Sequence, residues 1–256
     1  MHIDLTGKNA LVTGGTRGIG RAISLTLARA GAQVAAIYQS DREAAARTLE
    51  ELNALPESQG KTHFTVQANI AIENQATEAV WEIEERFGGA LDFVVLDAAA
   101  GAGGPLAGMK SEDWKRPFEV NVHGAFYVVR ATGPLLRPGG SIVFLSSGAG
   151  HDPLEGLSAY GASKAAVNHM AAVLAQELGV EGVRVNVVSP GHTDKGLEDP
   201  NAHPENWTED QKSLVESTAL RRIGTAQDVA NVVLFFCSNL SSFVTGQWVR
   251  VNGGRV

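Results

Sequence analysis

The chain is poor in the features of secreted domains and of membrane proteins. Its 256 residues include one cysteine, Cys237, which excludes an internal disulfide and favours a reducing compartment. No apolar run approaches the ~20 residues that a membrane-spanning helix needs, and Met1 to Asp4 lack the pattern of a signal peptide. The sequence therefore predicts a cytoplasmic protein, with Cys237 packed in an apolar run.

Basic residues are also few. The chain has 21 Lys and Arg against 28 Asp and Glu, a net charge of −7, and the basic residues are scattered, which argues against a nucleic-acid or membrane surface. The hydrophobic content of 44% is ordinary for a globular protein. We see no repeat, linker or low-complexity tract, so we expect one domain over residues 1–256, with a small molecule as partner and no metal site.

Apolar strand patterns alternate with helical periods along the chain, which predicts a doubly wound parallel sheet of about seven strands with helices on both faces, of the Rossmann type. The predicted strands are Asn9–Thr13, Gln33–Tyr38, Thr62–Gln67, Asp92–Leu96, Ser141–Ser146, Arg184–Ser189 and Trp248–Val251. The predicted helices are Gly18–Ala30, Arg42–Leu55, Asn74–Phe87, Ser111–Leu136 in two pieces, Ala159–Leu178 and Ala226–Ser238.

A glycine-rich turn joins the first predicted strand to the first predicted helix. Gly14, Gly18 and Gly20 give the spacing GxxxGxG rather than the GxGxxG dinucleotide fingerprint. Glycines let the backbone approach a pyrophosphate, and a helix N-terminus attracts negative charge. The turn predicts a nucleotide site, with an ordinary glycine-rich turn as the alternative.

Tyr160 and Lys164 lie one turn apart on a predicted helix, so they share a face. A nearby ammonium lowers the pKa of a phenol, and such a tyrosine can exchange a proton with a substrate oxygen. Ser147 follows another predicted strand, at the carboxyl edge where open α/β sheets bind ligands. The alternatives are a surface Tyr–Lys pair and a serine that caps its strand.

Together these motifs resemble the short-chain dehydrogenase/reductase family, over nearly the whole chain. The family's serine, tyrosine and lysine match Ser147, Tyr160 and Lys164, and its active-site asparagine matches Asn121. The resemblance implies that Tyr160 is the acid/base, Ser147 orients a carbonyl, Lys164 tunes the tyrosine and holds the ribose, and Asn121 holds a water. Later signatures match at Asn186–Gly191, Arg221–Gly224 and Thr245–Gly254.

The residues at the end of the second predicted strand favour NADP(H) over NAD(H). The family's NAD users carry an acid there, where this chain has Tyr38, and Ser40 can donate to a phosphate. Arg17 lies where its NADP users often have a basic residue, and Arg42 is a second candidate. Asp41 leaves the NAD alternative open.

The predicted cofactor site extends along the carboxyl edge of the sheet. Its residues are Gly14, Thr16, Arg17, Gly18, Ile19, Gly20, Tyr38, Ser40, Asn69, Ile70, Ala98, Ala99, Tyr160, Lys164, Pro190, Gly191 and Thr193. The chain departs from the family at Leu96 and Asp97, where two asparagines are usual, at Asn69, where aspartate is common, and at Lys195, where threonine is usual. Asp97 is either an isosteric hydrogen-bonding residue or a changed charge.

Two loops are expected beside the substrate. Residues 192–219 are predicted to form a lid, and Gly101–Leu106 is expected to be mobile because of its glycines. Candidate pocket residues are His192, Leu197, His203 and Trp207. The sequence does not indicate a substrate.

The helix that carries Tyr160 is small and apolar on most sides, so it must be covered on more than its sheet side. Another helix of the same chain is one possible cover. The family resemblance implies a subunit interface there, in a homodimer or homotetramer.

The combined expectation is an NADPH-dependent oxidoreductase that reduces a ketone to an alcohol, reversibly. The alternatives are an NAD-linked alcohol dehydrogenase, an enoyl reductase, an epimerase, or a nucleotide sensor without activity. The intact Asn121, Ser147, Tyr160 and Lys164 disfavour the sensor. The four-residue spacing of Tyr160 and Lys164 disfavours enoyl reduction, because those relatives often widen it.

Overall fold

The computed structural model describes residues 3–194, 196 and 204–255. Seven parallel strands form one sheet in the order β3-β2-β1-β4-β5-β6-β9, which confirms the predicted fold class. These strands are β1 (Asn9–Thr13), β2 (Gln33–Tyr38), β3 (Phe64–Gln67), β4 (Leu91–Leu96), β5 (Leu136–Leu145), β6 (Arg184–Pro190) and β9 (Trp248–Val251). A separate two-stranded ribbon pairs β7 (Thr193–Asp194) with β8 (Gly224–Thr225).

Helices cover both faces of the sheet. They are α1 (Gly18–Arg29), α2 (Arg42–Ala54), α3 (Glu73–Phe87), α4 (Ser111–Pro117), α5 (Ala125–Thr132), α6 (Ser158–Gly179), α7 (Glu209–Glu216) and α8 (Ala226–Phe236). Residues of α1, α2 and α8 form one apolar core, and residues of α3, α5 and α6 form the other. Within the described ranges, no helix has the length and apolarity to cross a bilayer.

The order of the strands reverses between β1 and β4. The chain first builds β2 and β3 on one side of β1, then places β4, β5 and β6 on the other. The connections after β1 and β4 therefore diverge and leave a crevice at the carboxyl ends of these strands, which is where such sheets bind ligands. The glycine-rich turn after β1 borders this crevice.

The helix predicted in two pieces over residues 111–136 is divided as expected, but it ends earlier than predicted. α4 ends at Pro117, a π-helical turn spans Phe118–Gly124, and α5 ends at Thr132. β5 already begins at Leu136, which pairs with Leu91 across a register shift. The prediction was therefore wrong at this junction, because pairing with β4 determines where the strand begins.

α6 has a bare outer face. Its inner residues Val167, Ala171 and Ala175 are buried, whereas Ala165 and Val173 on the outside are exposed, Val173 to 43%. In the described part of the chain, α4 and the π-helical turn Phe118–Gly124 pack against α6, and Ala165, Ala172 and Val173 remain exposed. Another helix of the same chain therefore covers part of α6, and these small apolar residues stay uncovered.

Candidate active site

A cavity of about 520 Å³ lies along the carboxyl edge of the sheet. It runs from the end of β2, at Tyr38 and Ser40, to Tyr160 and Lys164 on α6, and is lined by every residue predicted to bind the cofactor except Gly20. The prediction missed lining residues that neighbour predicted ones, all at strand ends except one in the π-helical turn, because pattern alone does not separate inward from outward side chains there. They are Ile37, Gln39, Ala68, Val120, Leu145 and Ser146.

The glycine-rich turn has the shape that a pyrophosphate requires. Gly14 and Gly18 adopt φ angles of +68° and +54°, which side chains with a Cβ rarely adopt. A Cβ on Gly20 would collide with the carbonyl of Gly14 and come within 2.7 Å of Asp97 Oδ2. Gly20 does not line the cavity, but its lack of a side chain lets α1 pack close to the turn. The N-terminus of α1 then faces the cavity and suits phosphate groups.

The part of the cavity beside the end of β2 offers one basic side chain and one hydroxyl group. Arg17 and Ser40 are exposed and line the cavity. Asp41 also lines it, but its Oδ1 accepts a hydrogen bond from Ala44 N at 2.9 Å and caps α2. Arg42 is outside the lining and donates from Nε to Gln67 Oε1 at 3.2 Å. This arrangement suits a phosphate more than an uncharged ribose hydroxyl.

Lys164 is anchored inside the protein beside Tyr160. It is 3% exposed, and its Nζ donates a hydrogen bond to the carbonyl oxygen of Leu145 at 2.7 Å. The Nζ lies 5.8 Å from the centre of the Tyr160 ring. The one-turn spacing predicted from the sequence therefore places the ammonium and the phenol at the same end of the cavity.

The pKa of Tyr160 is raised above its ordinary value of 10, contrary to the predicted lowering. Burial is the largest cause, a hydrogen bond with the Ser147 hydroxyl lowers the pKa, and the carboxylate of Asp97 raises it. Desolvation disfavours the phenolate, and at Tyr160 it is the dominant influence on the pKa. The phenol is thus protonated at neutral pH, with Ser147 as its hydrogen-bonding neighbour.

Asn121 lies behind the cavity wall rather than on it. Its Oδ1 accepts from Ala100 N at 2.8 Å, and its Nδ2 donates to Ala100 O at 3.0 Å and to Ser163 Oγ at 2.9 Å. The side chain is buried and its amide is engaged by protein groups. The geometry therefore gives Asn121 the role of a brace between the end of β4 and α6.

The turn after β6 closes the cavity beyond Lys164. Gly191 N donates to Val251 O at 2.9 Å, and a Cβ on Gly191 would lie 2.7 Å from the Cβ of Asn252. Thr193 lines the cavity and donates from its hydroxyl to Gly191 O at 3.3 Å. Among the candidate pocket residues, His192 and Trp207 do not line this cavity, and Leu197 and His203, like Lys195, lie outside the described residues.

The loop Gly101–Leu106 is tied to the segment that follows Ser147. Gly104 N donates to Gly156 O at 2.8 Å, and both glycines adopt positive φ angles. The sequence predicted a mobile loop. The hydrogen bond joins this loop to the segment after Ser147, and the mobility of the loop stays a prediction.

Comparison with known proteins identifies close relatives of the whole chain. The protein-family model described as "Enoyl-(Acyl carrier protein) reductase" matches residues 14–255. A tropinone reductase homolog from Arabidopsis thaliana is 33% identical over 255 residues, 98% of this chain and 92% of the relative. The 3-oxoacyl-(acyl-carrier-protein) reductase FabG of Staphylococcus epidermidis is 34% identical over 249 residues, 96% and 98% of the two chains.

Two solved structures are similar over their full length. One is a blue fluorescent protein from a metagenomic library in complex with NADPH, 33% identical, with a TM-score of 0.88 over 99% of each chain. The other is a short chain dehydrogenase from Burkholderia cenocepacia in complex with NADP, 34% identical, with a TM-score of 0.86 over 98% of each chain.

Proposed function

Because this chain belongs to the short-chain dehydrogenase/reductase family, we propose that it is an NADPH-dependent oxidoreductase that reduces a ketone to an alcohol, reversibly. One observation carries the proposal. Ser147, Tyr160 and Lys164 lie at one end of a single cavity whose other end is the glycine-rich turn. An acid, a hydrogen-bond donor and a cation thus lie beside the space that a nucleotide fits.

A nicotinamide cofactor held by the glycine-rich turn and Lys164 would supply the hydride for this reduction. Ser147 donates a hydrogen bond to the carbonyl oxygen and orients it, as groups aimed at a developing oxyanion do. Tyr160 gives its proton to that oxygen. Lys164 stabilises the resulting phenolate by its positive charge, and Asn121 supports the site by bracing α6. A phenol that stays protonated at neutral pH suits the direction of reduction.

NADP(H) is the cofactor. Arg17 and Ser40 reach the end of the cavity where a 2′-phosphate would lie, and Tyr38 stands where an NAD enzyme carries an acid. The complexes of two similar proteins with NADPH and NADP support this assignment. A charge-assisted hydrogen bond contributes about 1.5–3 kcal/mol, enough to separate the two cofactors by one to two orders of magnitude.

Titration of cofactor fluorescence tests the cofactor assignment. Wild type should bind NADPH more tightly than NADH, and Arg17→Ala should weaken NADPH binding roughly tenfold or more while NADH binding changes little. Arg42→Ala is the matched control, since its guanidinium pairs with Gln67 outside the cavity. A wild type that prefers NADH would instead assign Asp41 to the ribose.

Enoyl reduction is the second candidate, favoured by the description of the family model. The four-residue spacing of Tyr160 and Lys164 favours the ketone. Oxidation of NADPH with matched pairs of ketones and enones separates the two. Turnover of the ketones supports the proposal, turnover of the enones alone supports the second candidate, and cofactor binding without turnover of either indicates a sensor.

Two further features belong to the proposal. Residues 192–219 act as a lid over the substrate, since they follow directly on the turn that closes the cavity. The bare outer face of α6 packs against a second copy of the chain, which gives a homodimer or homotetramer. Cover by a second copy explains why this face is small and apolar.

A further inference from the structure

The turn that follows Ser147 packs directly on the helix that carries Tyr160. A Cβ on Gly150 would lie 3.0 Å from the backbone and the Cβ of Lys164, and a Cβ on Gly161 would lie 2.6 Å from Ala149 O. The glycines thus bring the turn and α6 into backbone contact. Small residues permit this contact but do not hold it, so the position of the turn depends on the side chains around it.

His151 is the side chain that joins this turn to α6. Asn168, one helical turn after Lys164, donates from Nδ2 to Gly150 O at 3.3 Å and pairs with His151 Nε2 at 2.7 Å. Because the amide nitrogen only donates, His151 Nε2 accepts, and the ring carries its proton on Nδ1. One amide group therefore binds two consecutive residues at the end of the turn.

The same imidazole stacks on the edge strand of the sheet. Its ring centre lies 3.1 Å from that of Trp248 on β9, with 21° between the planes. Trp248 is fixed in turn, because its Nε1 donates to Ser189 Oγ at 2.6 Å, directly before Pro190. His151 thus connects the Ser147 turn to the start of β9 and, through Ser189, to the end of β6, where Pro190 lines the cavity.

Charged groups around His151 reinforce this connection. Asp152, the next residue, pairs with Arg250 of β9, with an Nη2 to Oδ1 distance of 2.9 Å. Arg250 also lies 4.9 Å above the Trp248 ring. Burial and the charge of Arg250 lower the pKa of His151, and Asp152 raises it. The lowered pKa agrees with the neutral ring that accepts from Asn168.

These contacts affect the position of the Ser147 hydroxyl. Ala149 N donates to Ser147 Oγ at 3.2 Å, so the turn directs the serine side chain as well as its backbone. A shift of the turn on α6 would move the hydroxyl relative to Tyr160. Misplacement of a reacting group by about 1 Å can cost on the order of a hundredfold in rate.

The geometry points to His151 as a positioning residue, which holds the Ser147 turn against Asn168 of α6 and Trp248 of β9 so that the serine hydroxyl meets the substrate oxygen beside Tyr160. This inference rests on the proposed function, because it takes Ser147 as the group that orients the carbonyl. His151 itself does not line the main cavity and contacts no substrate.

Two substitutions of His151 separate its contacts. His151→Phe keeps a ring on Trp248 but cannot accept from Asn168, and should lower kcat roughly tenfold with the Kd of NADPH unchanged within about twofold. His151→Gln keeps an acceptor and should restore part of kcat. His169→Phe is the control, because His169 is exposed on α6, lines a neighbouring cavity of about 400 Å³ with His151 and has no contact with the turn among those observed.

A double-mutant cycle with Ser147→Ala shows whether His151 acts through the serine. In the Ser147→Ala background, His151→Phe should cause no further loss, because the hydroxyl that it positions is gone. Melting curves show which variants are folded. If His151→Phe does not fold, Asn168→Leu removes the same hydrogen bond from the α6 side and takes its place in the cycle.

The outcomes separate the two claims. Full activity of Ser147→Ala would overturn the role of Ser147 in the proposed function. An impaired Ser147→Ala enzyme together with an unimpaired His151→Phe enzyme would overturn the positioning role alone. Equal losses from His151→Phe in both backgrounds would likewise contradict it, since the effect would then bypass Ser147.

Discussion

Tyr160 is subject to opposing influences from two neighbours. The Ser147 hydroxyl stabilises its phenolate by a hydrogen bond, and the Asp97 carboxylate destabilises it by repulsion, while burial raises the pKa most. Asp97 also contacts the glycine-rich turn, since its Oδ2 lies close to the positions a Cβ would take on Gly14 and Gly20. The departure from asparagine at Asp97 is thus a change of charge beside both the turn and the acid.

Replacing these two neighbours should shift the phenol in opposite directions. Asp97→Asn removes the repulsion and lowers the pKa of Tyr160, whereas Ser147→Ala removes the hydrogen bond and raises it. Ultraviolet difference titration of the phenolate measures both shifts, with Tyr160→Phe subtracted to remove Tyr38 and Tyr127. If the pKa of Tyr160 shifted in the same direction in both variants, the effect assigned to one of the two neighbours would be wrong.

His63 is a buried histidine that must stay neutral. Its Nδ1 accepts from Val34 N at 3.1 Å, and its Nε2 lies 2.8 Å from Ser58 Oγ, which donates to Leu52 O. The proton of the ring is therefore on Nε2. Burial, and to a lesser extent the charge of Lys61, lower the pKa of His63 from 6.5 to about 4.

Protonation of His63 should destabilise the fold in acid. The folded pKa lies below the unfolded one, so the unfolded state binds more protons between pH 6.5 and about 4, and stability is lost as the pH falls through this window. Urea unfolding should give a free energy of unfolding about 2 kcal/mol lower at pH 5 than at pH 7 from this group alone. His63→Leu should lose this part of the pH dependence, and the exposed His169→Leu should keep it. An unchanged slope in His63→Leu would contradict the neutral ring.

At the scale of elements, local pattern predicted most of the fold. β1, β2 and β9 have the predicted bounds, and α6 differs by one residue at each end. Predictions failed where pairing between residues distant in the chain determines the bounds of a strand. Leu136, for example, belongs to β5 because it pairs with Leu91 of β4.

In the candidate site, too, features set by local sequence were predictable and features set by distant contacts were not. The glycine-rich turn, Ser147, Tyr160 and Lys164 were predictable, because each lies at a fixed offset within one strand or helix. The contact of His151 with Trp248 was not, since it joins residues far apart in the chain. The pKa of Tyr160 was predicted in the wrong direction, because burial depends on the whole fold and outweighs a neighbouring charge.

α7 is suited to local opening. In this helix, all of whose residues are described, Val215 is the one buried side chain, and a capping box of Thr208 and Gln211 starts it. Few buried contacts mean a small free energy of local opening. The end of the segment is better anchored, by the buried Thr218 and by Leu220 N, which donates to Gly253 O at 3.0 Å.

Hydrogen exchange should therefore detect substrate binding at α7. Amides of Glu209–Glu216 should exchange rapidly in the free enzyme and slow when NADPH and an alcohol product are both bound, while those of β1 should not change. Trp207→Ala should raise the KM of the substrate more than the Kd of NADPH. Equal protection of α7 in both states would argue against a lid.

At the scale of the whole molecule, two faces of α6 differ in their surroundings. Its inner face carries Tyr160 and Lys164 against the cavity, and its outer face exposes Ala165, Ala172 and Val173. If a second copy covers the outer face, as proposed, the same helix joins the oligomer to the proposed site. Loss of the partner would change the support of the residues that line the cavity.

Charge on the outer face of α6 should disrupt the oligomer. Val173→Arg places a guanidinium on this face and should shift the molar mass measured by light scattering towards that of one chain. Trp81→Arg on α3 is the matched control, since Trp81 is more exposed than Val173, 60% against 43%, and lies on another helix. A wild type that is already monomeric would contradict the second copy on α6.

Single-turnover reduction by the Tyr160→Phe variant tests the central claim most directly. The substitution removes the proton that Tyr160 transfers and keeps the ring that packs beside Lys164. We predict that hydride transfer from NADPH to a ketone, followed in stopped flow, slows by about 10²–10⁴-fold, while fluorescence titration gives an unchanged Kd for NADPH. Hydride transfer near the wild-type rate, with NADPH bound normally, would show that another group protonates the substrate and would contradict the account.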